Sequence, residues 1–172
     1  MSRKFVGGAV LLMALGTALI GAALVRPVSA LQGRQVETEA RQHVPIGEPI
    51  VYRNRPPSSG AHYERTLRFG VYEREIEPGY WVHNLEHGGV VLLYNCAERC
   101  DGLVEQLRQV YTSAPRSQKY NVVKLAAVPY RDMDHILAAV AWGVIDEMDE
   151  FDRDRILAFY REHLDHGPED AL

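Results

Sequence analysis

The chain reads as an α+β protein. A small mixed β-sheet with two packed helices forms a β-α-β-β-α core after an irregular, loop-rich N-terminal half. Three observations predict this. Val90-Val91-Leu92-Leu93-Tyr94 is a continuous apolar run of strand length, the pattern of a strand buried on both faces. Two later segments, 102–111 and 152–164, carry apolar residues at helical spacing. Between His43 and Trp81 prolines and glycines recur too often for long regular elements.

The bulk properties bound what such a domain can be. At 172 residues the chain fits one well-buried domain better than two. A composition of 47% hydrophobic and 24% charged residues is that of an ordinary globular protein, which argues against disorder. The first thirty residues hold Arg3, Lys4 and Arg26 and no acid, so the 16 basic and 23 acidic residues beyond them give that body a net charge of -7. No basic patch survives there, and nucleic acid is not an expected partner.

Arg3-Lys4, the uncharged stretch Phe5 to Val25 and the small residues Val28-Ser29-Ala30 follow the basic, apolar, small order of an export signal. Residues 1–30 are therefore read as an N-terminal membrane anchor or signal peptide. The uncharged stretch is long enough to span a bilayer core of about 30 Å. Lys4 on the inside places the rest outside the cytoplasm, on the periplasmic or cell-surface side. Residues 31–42, polar and without an apolar period, read as a linker, and 43–172 as a single extracytoplasmic domain.

Within that domain, Arg55-Pro56-Pro57-Ser58-Ser59-Gly60 cannot be a helix interior, because its prolines remove donors and fix φ. It reads as a rigid loop delivering Ala61-His62-Tyr63. Arg68 to Trp81, with Gly70, Pro78 and Gly79, reads as loop. His83 to His87 reads as a short held turn, since Gly88-Gly89 stops any helix at once. After the Val90 strand, Asp101 is placed to cap a helix from Gly102 to about Tyr111, and Pro115 ends it. Val122–Val128 and Ile136–Val144 read as two further strands, the first reached by a right-handed parallel crossover and the two then pairing antiparallel. Asp152 caps the last helix to Leu164, with Phe151 and Ile156 as a hydrophobic staple.

The chemistry concentrates in Val82-His83-Asn84-Leu85-Glu86-His87-Gly88-Gly89. Imidazoles at i and i+4 on a helical turn put their Cβ atoms roughly 5–6 Å apart, within reach of one metal ion. With His62 delivered by the rigid loop and His43 as a fourth ligand, the set His43, His62, His83 and His87 suits copper or zinc. The alternative is a structural or interaction domain whose histidines serve a hydrogen-bond network around Glu86 and Tyr63. A third reading is a metal-dependent hydrolase, because His-Asn-Leu-Glu-His matches the inverted zinc-peptidase pattern with Glu86 as general base. That pattern needs a long helix, and the glycines argue against one.

Cys96 and Cys100 are the only cysteines, and an exported location favours a disulfide between them. A spacing of four residues in a turn permits it. Their place between a strand and a helix also admits a thioredoxin-like redox or copper-delivery role, although Glu98 and Asp101 disfavour a thiolate. His163 falls on the apolar stripe of the last helix and reads as a satisfied core residue. His135 and His166 read as solvated, Met133 as a weak soft-ligand candidate and Trp142-Gly143 as strand packing. Glu169 either closes the site or ends the domain.

Pro56-Pro57-Ser58-Ser59-Gly60-Ala61-His62-Tyr63, the histidine run at 82–89, Ala141-Trp142-Gly143 and Gly167-Pro168-Glu169 together resemble the bacterial domain-of-unknown-function 3105 family, from about His43 to Glu169. Ser58 stands where that family usually has threonine, and Ala61 where it often has a second proline. Both changes leave His62 in place. The resemblance implies an amino-terminal membrane segment, in line with the export reading, and it implies no activity.

Overall fold

The computed structural model describes residues 32–96 and 100–172. The segment read as an anchor or signal peptide lies outside them. Among the described residues, no helix is long and apolar enough to cross a membrane.

The architecture is α+β, with eight strands and three helices among the described residues. In chain order these are β1 (Arg34–Gln35), β2 (Gln42–Val44), β3 (Ala61–Tyr63), β4 (Gly70–Val71), α1 (Pro78–Glu86) and β5 (Val90–Tyr94). There follow α2 (Asp101–Ser113), β6 (Leu125–Pro129), β7 (Leu137–Ala141), β8 (Val144–Met148) and α3 (Arg153–His163). Six strands form a mixed sheet in the order β1-β8-β7-β5-β6-β4, and β2 and β3 form a separate parallel pair.

The apolar run at 90–94 is the centre of the sheet, as a strand apolar on both faces must be. Its alternate residues serve two cores. Val90, Leu92 and Tyr94 face α2 and α3, where they meet Val104, Leu107, Val110, Ile156 and Phe159. Val91 and Leu93 face the other way, onto Trp81, Val82 and Leu85 of α1. Each such large side chain taken from water stabilises the fold by about 1.5–3 kcal/mol.

The parallel crossover is present: β5 pairs with β6 in parallel, Val90 opposite Leu125, through α2. β7 pairs antiparallel with β5 and β8, not with β6. The expected strand Ile136–Val144 is also two strands. Trp142 and Gly143 form the turn of a β7–β8 hairpin, Ala141 opposite Val144, with Gly143 at φ +70°. A run of small apolar residues hides such a turn, because only the glycine marks it.

Two further expectations are corrected. Pro78–Trp81, read as loop, opens α1, so a third helix covers the second face of the sheet. Proline tolerates the first helical turn, where its missing N–H has no intrahelical partner. Residues 31–42, read as linker, supply β1, which pairs with β8, and the first residue of β2. An edge strand pairs through its backbone, so the exposed side chains of Arg34 and Gln35 carry no apolar pattern to read.

The start of α3 follows its signal, and the start of α2 does not fall where Asp101 was expected to cap it. Asp152 accepts from the Arg155 N–H at 3.0 Å and caps α3, with Ile156 buried and Phe151 packed on the same core. For α2, Cys100 occupies the cap position and Asp101 is already helical.

Candidate metal centre

The histidine run is helical, and its periodicity sorts it into three jobs. Val82 and Leu85, with Trp81 before them, point into the core and are fully buried. Asn84 pins the preceding loop, donating to the Leu67 carbonyl and accepting from the Leu67 N–H, each at 2.8 Å. His83, Glu86 and His87, at i, i+3 and i+4, share the remaining face. The helix ends as Gly88 takes φ +75° and the Gly89 N–H reaches the Asn84 carbonyl at 2.8 Å. A Cβ on Gly89 would lie 2.8 Å from that same carbonyl, so the second glycine is required by close approach.

The other half of the site arrives on the β2–β3 ladder, whose register sets His43 beside His62. The loop before β3 is fixed at several points. Ser59 Oγ accepts from the Glu39 N–H, the Ser58 carbonyl accepts from the Gly143 N–H, and Gly60 turns at φ +109°. Trp142, on the hairpin turn, meets the His62 ring edge-on at 6.3 Å between centroids. The rings of His43, His62 and His83 then stand 4.7–4.9 Å apart, and that of His87 is 4.5 Å from His83.

Two contacts decide tautomers. His62 Nδ1 lies 2.8 Å from the Gly60 carbonyl and His83 Nδ1 lies 2.7 Å from the Tyr63 carbonyl. A carbonyl only accepts, so both Nδ1 atoms carry a proton, and a ring with that single proton presents its lone pair at Nε2. Burial pushes the His83 pKa down to about 4, against the Tyr63 bond and with the nearby rings of His87, His62 and His43. His83 is therefore a neutral imidazole at physiological pH.

His83 Nε2 is hydrogen-bonded to His87 Nε2 at 3.1 Å, and His62 Nε2 faces Glu86. His62 Nε2 is 2.8 Å from Glu86 Oε2, with both side chains almost wholly buried, and His43 Nε2 is 3.9 Å from the same oxygen. The short contact lacks hydrogen-bond direction. His62 Nε2 and Glu86 Oε2 are both buried without a hydrogen-bond partner among the described residues, and so is His87 Nδ1. Arg41 holds the other oxygen of Glu86 at 3.4 Å.

This donor set fits a transition metal. His43, His62, His83 and Glu86 each offer one ligand atom, all within 4.8 Å of one another. Ligands about 2.0–2.1 Å from a tetrahedral zinc lie roughly 3.3 Å from each other. The 2.8 Å His62–Glu86 contact is near that spacing. Three imidazoles and a carboxylate suit zinc or copper. Bonds from Nδ1 to backbone carbonyls fix ring orientation, as metal-binding imidazoles require. His43, His62 and Glu86 line an open cleft of about 380 Å³ with Arg41, Gln42 and Glu169, so the group is reached from solvent.

Three of the four histidines expected as ligands, His43, His62 and His83, thus meet in one group. Glu86, expected as a general base if anything, takes the fourth place. His87 belongs to an adjoining group with Glu86 and Glu169. The i, i+3, i+4 spacing was the available signal for Glu86. No sequence signal marks Arg41, which acts across the β2–β3 pair. Glu169 turns back to the site, its N–H bonded to the Glu86 carbonyl at 3.0 Å.

The remaining candidates lie elsewhere. Cys96 and Cys100 form a disulfide with Cα atoms 5.8 Å apart. His163 is half-buried against Phe159, with Nε2 3.0 Å from the Gln32 carbonyl. His135 pairs with Asp149 at the surface, which raises its pKa, and His166 is exposed. Met133 packs beside the α1 core.

A family model described as "Protein of unknown function (DUF3105)" matches residues 43–172. No curated protein and no solved structure matches the chain.

Proposed function

The chain belongs to the DUF3105 family, whose description carries no activity, and we propose from its geometry that it binds a transition metal, zinc or copper, through His43, His62, His83 and Glu86. One observation carries this reading: His62 Nε2 and Glu86 Oε2 are buried 2.8 Å apart and neither finds a hydrogen bond. A histidine network that merely held loops together would satisfy its buried atoms, because an unpaired one costs about 1–3 kcal/mol. Here the Nδ1 atoms of His62 and His83 hold the loops, and His62 Nε2 is left for something else.

The same reading places the site outside the cytoplasm, on a chain anchored or exported by its first thirty residues. The basic, apolar, small order of those residues supports it. The Cys96–Cys100 disulfide supports it too, since disulfides persist in oxidising compartments. With both thiols paired, neither competes for the metal.

An enzymatic reading has one observation in its favour, the open cleft above the cluster. Glu86, however, is engaged by Arg41 and faces His62, so we read it as a ligand and not as a free general base.

The test is zinc and copper titration of the full chain, with elemental analysis of the purified protein, beside His62→Ala. We expect metal in the wild type and loss of it in the variant. No binding tighter than about 100 μM, roughly 5.5 kcal/mol, overturns the proposal.

A further inference from the structure

Beside the group just described lies a second one. Glu86, His87 and Glu169 also bring one ligand atom each to within 4.8 Å of one another. We propose that Glu86 is shared between two metal positions, the second completed by His87 and Glu169, so that the chain holds a pair of divalent transition-metal ions. This inference rests on the metal-binding reading of the first group.

Two features of His87 support the second position. His87 Nδ1 is buried without a partner among the described residues, an orphan that a mononuclear site with His43, His62, His83 and Glu86 leaves unexplained. His87 Nε2 is hydrogen-bonded to His83 Nε2 at 3.1 Å and stands 3.9 Å from Glu169 Oε1, so the ring lies between the first group and the second carboxylate.

Glu169 is also held in place and not simply near. Its own N–H bonds the Glu86 carbonyl at 3.0 Å, and the Asp165 N–H bonds the Gly88 carbonyl at 2.9 Å. The buried Lys124 ammonium joins the His87 carbonyl, Asp165 and the Ala171 carbonyl at 2.6–3.0 Å. Between these ties Gly167 sits so close that an added Cβ would fall 2.1 Å from the Glu86 carbonyl. The C-terminal segment is thereby fastened to the end of α1 at both of its ends, with the Glu169 side chain on the cleft that His43, His62 and Glu86 line.

The test is zinc stoichiometry of the full chain, by titration and elemental analysis, for the wild type and Glu169→Gln. Glu169 is 46% exposed, so this variant leaves the core untouched. Two ions in the wild type and one in Glu169→Gln are expected, with the retained ion lost or weakened at least about tenfold by the further change His43→Ala. One ion in the wild type overturns the second position and leaves the first standing. Two ions in both chains overturn it as well. No ion in the wild type removes the reading beneath it. In the Cu2+-loaded chain, adjacent ions couple their spins, so the integrated paramagnetic signal falls below the copper content. A full signal puts the second ion elsewhere and overturns the proposal.

Discussion

His62 Nε2 and Glu86 Oε2 lie 2.8 Å apart inside the protein, on two elements far apart in the chain, without forming a hydrogen bond. Strand β3 brings one and helix α1 the other, and the bonds from each histidine's Nδ1 to a backbone carbonyl leave Nε2 facing inward. An arrangement that leaves two buried polar atoms unpaired persists only if something offsets its cost.

Metal is expected to supply that offset, so it is also expected to stabilise the fold. At zinc one hundred times above its dissociation constant the gain is about 2.7 kcal/mol. Thermal unfolding of the wild type with zinc and with chelator measures it. His62→Ala and Glu86→Gln are each expected to abolish the difference between the two conditions. A zinc shift that survives in both variants would show that the ion sits elsewhere.

The metal-free chain is expected to lose stability in mild acid through His83. Its folded pKa of about 4 lies below the ordinary value of 6.5. Between those values the unfolded chain binds a proton at this residue and the native chain does not, so stability falls as pH drops from 6.5 to 4 and is flat in this residue's contribution below that. The loss is on the order of 2 kcal/mol. Urea unfolding in chelator at pH 7 and pH 4.5 reads it, and His83→Asn is expected to flatten the slope.

Lys124→Met is expected to destabilise the chain by about 3–5 kcal/mol, because it leaves Asp165 as a poorly compensated charge and two carbonyls without their donor. The double variant Lys124→Met, Asp165→Asn is expected to recover part of the loss. Hydrogen exchange provides the local readout: the amides of Asp165 and Glu169, which bond to Gly88 and Glu86, are expected to lose protection in the single variant. Unchanged protection would mean that Lys124 does not fasten the tail.

Gly167→Ala tests the close approach directly. The added methyl would overlap the Glu86 carbonyl and the Gly88 N–H, backbone atoms that cannot rotate away. A loss of about 1–3 kcal/mol is expected, typical of overpacking. An unchanged denaturation midpoint would contradict the packing described for the tail.

Replacing both cysteines, Cys96→Ser with Cys100→Ser, is expected to leave metal content unchanged. Neither residue belongs to the donor groups, and the bridge closes a loop of only four residues' separation. The stability loss is expected to be at most about 2 kcal/mol for so short a loop. Loss of metal uptake in this variant would instead favour a copper-delivery role for the cysteine pair.

How far the site could be read in the sequence depended on whether its contacts were local. His83 and His87 announce themselves because four residues along a helix is also one turn in space. The rigid proline segment before His62 was legible because prolines and glycine restrict the backbone wherever they occur. The extent of α1 was not, since Pro78-Gly79 is as compatible with a loop as with a helix start. Only burial of Trp81, Val82 and Leu85 against β5 selects the helix.

The α+β class, the central strand at 90–94, both later helices and the histidines that matter are written in local pattern, because apolar period and end signals act over a few residues. Long-range packing made the remaining choices. It inserted β7 on the free edge of β5, matched His43 with His62 through a parallel register, and chose Glu86 over His87 for the first donor group. It also drew Glu169 back to the site through the buried Lys124. Backbone ladders and a buried ion pair make those choices between residues distant along the chain, 41 positions for Lys124 and Asp165, and no local pattern encodes them.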